Sequence, residues 1–119
     1  MLEFFRDRLK SLIFVFKGIF LLISTENAIK AQLGVFSIFV FVGFYFEISK
    51  TEWILQTLCM GLILTAEGLN TAIEKLCDFV HPDYHKKIGF IKDISSGAVG
   101  FAALASIIIV GMIYWEYIF

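Results

Sequence analysis

The sequence predicts an all-α membrane protein, with an N-terminal amphipathic surface helix followed by three transmembrane helices. Three observations point to this class. Hydrophobic types make up 59% of the 119 residues and charged types only 18%, against about 45–50% and about 25% in soluble domains. Most of the apolar excess is gathered into three runs, at 31–49, 53–73 and 97–119. A single domain of this length also cannot bury so much apolar surface in a core of its own. The same composition excludes other classes. Ten basic and eleven acidic residues give a net charge of −1, which leaves no footprint for a polyanion and no nucleic-acid partner. Cys59 and Cys77 lack CxxC spacing, so neither a disulfide framework nor a zinc site is expected.

Residues 1–30 are expected to lie on the membrane rather than in it. Their apolar stretch, Leu12–Ile23, is interrupted by Lys17 and is too short to span. At about 100° per residue, Glu3, Arg6, Asp7, Lys10 and Lys17 fall within roughly a 100° arc, with Phe4, Phe5, Leu9, Leu12 and Phe16 mostly outside it. That pattern fits a helix in the interfacial plane, either as a plain anchor or as part of a substrate entry route. No small-residue cleavage site follows, as a signal peptide would require.

The first span, 31–49, carries one charge, Glu47. The second, 53–73, rises about 32 Å as a helix, enough for a hydrocarbon core of about 30 Å. The third, 97–119, carries only Glu116. Runs of this length satisfy their backbone groups in lipid only as helices. Trp53, Tyr114, Trp115 and Tyr117 stand near span ends, where amphipathic rings favour the interface. With no internal repeat and no linker, 1–119 is expected to be one domain; its single proline, Pro82, marks the one clear loop. Arg6, Arg8, Lys10, Lys17 and Lys30 precede the first span, Lys50 alone follows it, and Lys75, Lys86, Lys87 and Lys92 lie between the second and third. The positive-inside bias then places the N-terminus in the cytoplasm and the C-terminus outside.

The second span holds the residues that need explaining. Glu67, Asn70, Glu74 and Asp78 are spaced by 3, 4 and 4, which stacks them on one helix face. A charge at mid-membrane costs about 2.5–3.5 kcal/mol even on the lenient insertion scale, so this face is expected to meet other helices, water or cations. A polar seam gluing helices accounts for Asn70 and Thr71 but poorly for carboxylates, which repel unless a positive charge intervenes. Lys92 and a divalent cation are the candidates, and oxygen ligands of this kind suit Mg²⁺. Two non-enzymatic readings stand beside a catalytic one: an ion carrier lined by Glu67 and Glu74, and a helix-assembly module using the Glu67/Asn70/Glu74 face. Glu26, alone, reads as an interfacial carboxylate. His81 and His85 have metal-pair spacing, but Pro82 interrupts it, which favours solvated loop histidines. Asp93, Ser95 or Ser96 is expected to cap the helix entering the third span.

The element Glu67–Gly68–Leu69–Asn70–Thr71–Ala72–Ile73–Glu74, then Asp78, then Lys92–Asp93–Ile94–Ser95–Ser96–Gly97–Ala98–Val99, resembles the prokaryotic diacylglycerol kinase family, which includes the undecaprenol kinases. The likeness extends over nearly the whole chain. It implies a multi-pass protein of the bacterial cytoplasmic membrane, a homotrimer with composite sites, that transfers the γ-phosphate of MgATP to a membrane lipid hydroxyl. The product would be phosphatidic acid or undecaprenyl phosphate. Position by position, the resemblance implies that Glu67 is the catalytic base and that Asn70 supports the carboxylate cluster. It makes Glu26 and Glu74 the Mg²⁺ and ATP ligands, Asp78, Lys92 and Asp93 nucleotide-site residues, and Asp83–Tyr84–His85 the adenosine-contacting stretch. Two departures stand out. Asp7 and Phe14 occupy the spacings of a nucleotide-contacting arginine and tyrosine in some relatives, leaving Arg6 or Arg8 as substitutes. Phe20 and Gln32 stand where an arginine and an acid line the lipid site, alongside Glu67. That end of the lipid site is therefore more apolar here.

Overall fold

The computed structural model describes residues 1–119 as four helices: α1 (Leu2–Thr25), α2 (Asn27–Phe46), α3 (Lys50–Val80) and α4 (Lys86–Ile118). Helices α2 and α4 are long and apolar enough to cross a membrane. Helix α3 is long enough, at about 46 Å for its 31 residues, but Glu67, Glu74, Lys75 and Asp78 make its second half polar. Two of the three expected spans therefore qualify by length and apolarity alone.

The boundaries differ from the expected ones for local reasons. The first break falls at Glu26 rather than after residue 30. Glu26 is extended (φ −103°, ψ 114°), and its own carbonyl accepts from Lys30 N–H, so α2 starts at once. Just before it, the Ser24 and Thr25 hydroxyls both donate to the Leu21 carbonyl, at 3.3 and 2.6 Å. Such back-bonding competes with the helical ladder and bends helices.

Between α2 and α3, Glu47 adopts the left-handed conformation (φ 53°). The Glu47 amide and the Ile48 amide close the helix end onto Phe44 and Gly43 carbonyls, at 3.3 and 3.2 Å. This satisfies orphan carbonyls as a helix terminus requires. Ser49 then opens α3 through a reciprocal cap: its hydroxyl accepts from Glu52 N–H at 3.2 Å, and Glu52 Oε1 accepts from Ser49 N–H at 2.9 Å. The tight turn draws Gly43 against the Trp53 indole, where a Cβ would sit 2.7 Å from Cη2. Only glycine permits that approach.

Helix α3 continues seven residues beyond 73, and Pro82 ends the chance of further helix. The expected cap at Asp93, Ser95 or Ser96 is corrected: α4 begins at Lys86, with the His85 Nδ1 accepting from Lys87 N–H at 3.0 Å. Ser95 is instead buried inside the helix. An imidazole nitrogen can serve the capping role of a carboxylate, and the lysines and Asp93 among Ile88, Phe90 and Ile91 leave the first turns of α4 outside the apolar run that marks the span.

Only 14 of 119 residues are buried. Six of them form two small clusters, Phe36–Ile63–Ala102 and Ile48–Ile113–Tyr114, where α2, α3 and α4 meet. Helix α1 buries no residue. Most large apolar side chains therefore face outward, as they do when the surroundings are lipid or other helices.

Tyr114 and Tyr117, expected at the interface as rings, join helices through their hydroxyls. Tyr114 Oη donates to Gln56 Oε1 at 2.6 Å and Gln56 Nε2 donates to the Phe39 carbonyl at 3.2 Å, which ties α4, α3 and α2 together. Tyr117 Oη donates to Glu52 Oε1 at 2.6 Å. The Tyr117 bond, then the capping bond from Ser49, hold the Glu52 carboxyl below the ordinary glutamate range.

Candidate active site

The polar face of α3 is built as its spacing predicts. Asn70 Nδ2 donates to Glu74 Oε1 at 3.3 Å, one turn along the helix, and both side chains are half-buried. Asn70 Oδ1 is buried with no partner, an uncommitted oxygen beside a carboxylate. Glu67 is also half-buried and enters neither of the chain's two ion pairs. Its neighbour Gly68 lets α1 approach: Leu22 Cδ1 lies 3.2 Å from where a Cβ would stand. Beside this contact, Ile19, Leu22, Ile23, Ile29, Leu33, Leu64 and Thr65 line an apolar crevice of about 360 Å³. Leu64 is one helical turn from Glu67, so a carboxylate and an apolar crevice are neighbours.

About three turns beyond Glu67, the chemistry becomes cationic. Lys92 Nζ and Asp78 Oδ1 are 2.6 Å apart. The hydrogen bond to Asp78 is the main cause that raises the Lys92 ammonium above its ordinary range, against a smaller opposing desolvation. This pair stands at one side of a polar cavity of about 260 Å³ whose wall includes Asp83, Tyr84, His85, His81 and Gly89. The structure thus gathers five of the expected nucleotide residues, Asp78, Asp83, Tyr84, His85 and Lys92, around one space. Asp93 is exposed and does not line it.

The expected metal pair is placed on two elements. Glu74 sits on α3, and Glu26 at the α1–α2 break, where Lys75 Nζ approaches its Oε1 at 3.3 Å. No three His, Cys, Asp or Glu side chains converge to form a cage. Mg²⁺ rarely needs one, since it commonly takes one or two carboxylates and completes its shell with water and substrate phosphates. The carboxylates and the free Asn70 oxygen are hard donors of the kind this ion takes, so the residues fit it. Of the expected lipid-site residues, Phe20 is 69% exposed on α1, away from the crevice beside Glu67. Gln32 lines a separate apolar groove of about 430 Å³ between α2, α3 and α4.

Sequence reasoning missed Lys75 as a site residue, having counted it only for topology. Its adjacency to Glu74 was the available signal. The Ser49–Glu52 cap was likewise legible as an S-x-x-E pattern, whereas nothing in the sequence pairs Gln56 with Tyr114.

Comparison with known proteins decides the family. The model for "Prokaryotic diacylglycerol kinase" matches residues 13–114, which takes in the second half of α1, all of α2 and α3, and most of α4. The chain belongs to the prokaryotic diacylglycerol kinase family. It is 32% identical over 100 residues to the undecaprenol kinase of Bacillus subtilis (strain 168), covering 84% of this chain and 81% of that one. The protein is accordingly a membrane lipid kinase, and the ion-carrier and helix-assembly readings of the polar face give way to it. Of the site residues that the resemblance implies, all but Phe20, Gln32 and Asp93 lie on the α3 face, at the α1–α2 break or along the polar cavity at Asp78 and Lys92.

Proposed function

We propose that this lipid kinase transfers the γ-phosphoryl group of ATP, as its Mg²⁺ complex, to undecaprenol at the cytoplasmic face of the bacterial inner membrane, giving undecaprenyl phosphate. The observation that carries the reading is the adjacency on α3 of an unpaired, half-buried Glu67, an apolar crevice one turn away, and the Asn70–Glu74 pair. A lipid hydroxyl can reach the carboxylate from the membrane while a nucleotide approaches from the Asp78–Lys92 side.

Glu67 takes the hydroxyl proton as the lipid oxygen bonds to the γ-phosphorus. The bond from phosphorus to the β,γ-bridging oxygen breaks, and ADP leaves. Asn70 holds Glu74 in place. Glu26 and Glu74 would hold Mg²⁺, which supplies neutralising charge to the phosphates. Lys92 serves the phosphates, Asp93 stands beside it in sequence, and Asp83, Tyr84 and His85 receive the adenosine. Phosphoryl transfer asks chiefly for positioning and charge stabilisation, and this inventory supplies both. The whole chain acts as one unit with three spans, a cytoplasmic N-terminus and an outside C-terminus. It assembles as a homotrimer, consistent with how little a single copy buries.

Undecaprenol is preferred as acceptor on the named activity of the relative. Diacylglycerol, with phosphatidic acid as product, is the second reading, and the description of the matching family favours it. Labelled ATP offered with both lipids in mixed micelles tests the proposal. Labelled undecaprenyl phosphate is expected, with Glu67→Gln slower by about 10²–10⁴-fold, the range a general base contributes. Labelled phosphatidic acid alone would replace the acceptor. No labelled lipid from folded protein, or full activity in the Glu67 variant, would overturn the reading.

A further inference from the structure

Glu26 is a carboxylate in need of support. Its side chain is 22% exposed, at the single extended residue between two helices, so no helical turn holds it in place. The contacts it makes all fall on one oxygen. Lys75 Nζ is 3.3 Å from Oε1, and the Thr25 hydroxyl, whose proton also serves the Leu21 carbonyl at 2.6 Å, is 3.3 Å from the same atom. Oε2 accepts from neither. Lys75 follows Glu74 directly on α3, so its contact ties Glu26 to the helical turn that carries the other expected metal ligand.

We propose that Lys75 is a positioning residue for the divalent-cation site. By holding Oε1 of Glu26 it turns Oε2 toward the ion and pins the α1–α2 break to α3 beside Glu74. The proposal rests on the reading of Glu26 and Glu74 as the metal pair. Groups that orient a ligand commonly matter 10–100-fold in metal affinity. The Lys75 side chain is 69% exposed, which sets the expectation at the lower end.

Two opposite effects make the sign decisive. An ammonium that merely sits near the site repels Mg²⁺, so its removal would tighten binding. An ammonium that positions the ligand strengthens the site, so its removal weakens it. The test is Mn²⁺ binding to the full chain in detergent with a non-hydrolysable ATP analogue present, the protein-bound ion read from its paramagnetic resonance signal against the analogue alone, for the parent, Lys75→Gln, Lys75→Arg and Glu26→Gln. About tenfold weaker binding in Lys75→Gln, with recovery in Lys75→Arg, is expected. In steady state the same variant should need more Mg²⁺ for half-activation while kcat at saturating Mg²⁺ changes little. Binding that is unchanged or tighter in Lys75→Gln overturns the proposal. If Glu26→Gln binds Mn²⁺ like the parent, or the parent binds none, the metal-pair reading fails and takes the proposal with it. If Glu26→Gln loses binding while Lys75→Gln keeps it, the metal pair stands and only the role of Lys75 falls. Thermal unfolding of each variant separates loss of the site from loss of the fold.

Discussion

Gln56 is 2% exposed, and replacing it with leucine tests how the helices are held in register. Gln56→Leu keeps the approximate volume but removes two bonds, Nε2 to the Phe39 carbonyl at 3.2 Å and Tyr114 Oη to Oε1 at 2.6 Å. Bonds between helices in membranes average about 0.6 kcal/mol and reach about 1.7 kcal/mol. The Tyr114 hydroxyl retains an acceptor, because the Phe39 carbonyl lies 3.4 Å away. That fallback recovers part of the loss, so the expected cost is about 1–2 kcal/mol. Tyr114→Phe removes the shared bond together with the longer contact to the Phe39 carbonyl and should cost about 0.6–1.7 kcal/mol. The double variant should then cost less than the sum of the two, by roughly the energy of that shared bond. Reversible unfolding in detergent micelles measures all three. Strict additivity, within about 0.3–0.5 kcal/mol, would show that the two side chains do not act together and would refute the reasoning.

Three further outcomes follow from particular contacts. Gly43→Ala should destabilise by about 1–3 kcal/mol, because the new methyl would meet Trp53 Cη2 at 2.7 Å and Ile48 Cδ1 at 3.1 Å; unfolding followed by tryptophan fluorescence reads both the loss and the moved indole. Lys92→Gln should raise the KM for ATP by about 10–100-fold, since hydrogen bonds to charged groups contribute about 1.5–3 kcal/mol, while Asp78→Asn, which leaves the ammonium present, should have the smaller effect. The Glu52 carboxyl is held below its ordinary range by Tyr117 and by Ser49, so its contribution is fully present above the usual glutamate pKa and is lost as pH falls through the lowered value. Melting temperature against pH should therefore fall less steeply on the acid side in Glu52→Gln than in the parent.

The α3 face was legible because it depends on spacing alone. Glu67, Asn70, Glu74 and Asp78 must share a face on any α-helix, and the bond from Asn70 to Glu74 is a one-turn contact. The Lys92–Asp78 pair was legible only in part. Both residues were expected near the nucleotide, but their contact spans fourteen positions and needs the turn around Pro82 to bring α4 back along α3. Phe20 and Gln32 show the opposite limit: matching positions placed them together, yet one faces outward from α1 and the other lines a groove elsewhere.

What the sequence determined by itself is what local periodicity and solvent preference dictate: long apolar helices, a polar face on α3, and a loop at Pro82. Those depend on the chain's own geometry and on the cost of placing charge in lipid, so one dimension of information suffices. What only the tertiary structure decided is which distant groups meet. Lys75 on Glu26 joins α3 to the α1–α2 break, and Tyr114 on Gln56 and Tyr117 on Glu52 join α4 to α3. Their partners depend on helix rotation and crossing, to which side-chain packing contributes over many residues and which no short pattern encodes. The start of α4 at Lys86 was hidden for a related reason: a polar stretch can be helical when a cap and a neighbouring helix support it, and hydropathy alone is blind to both.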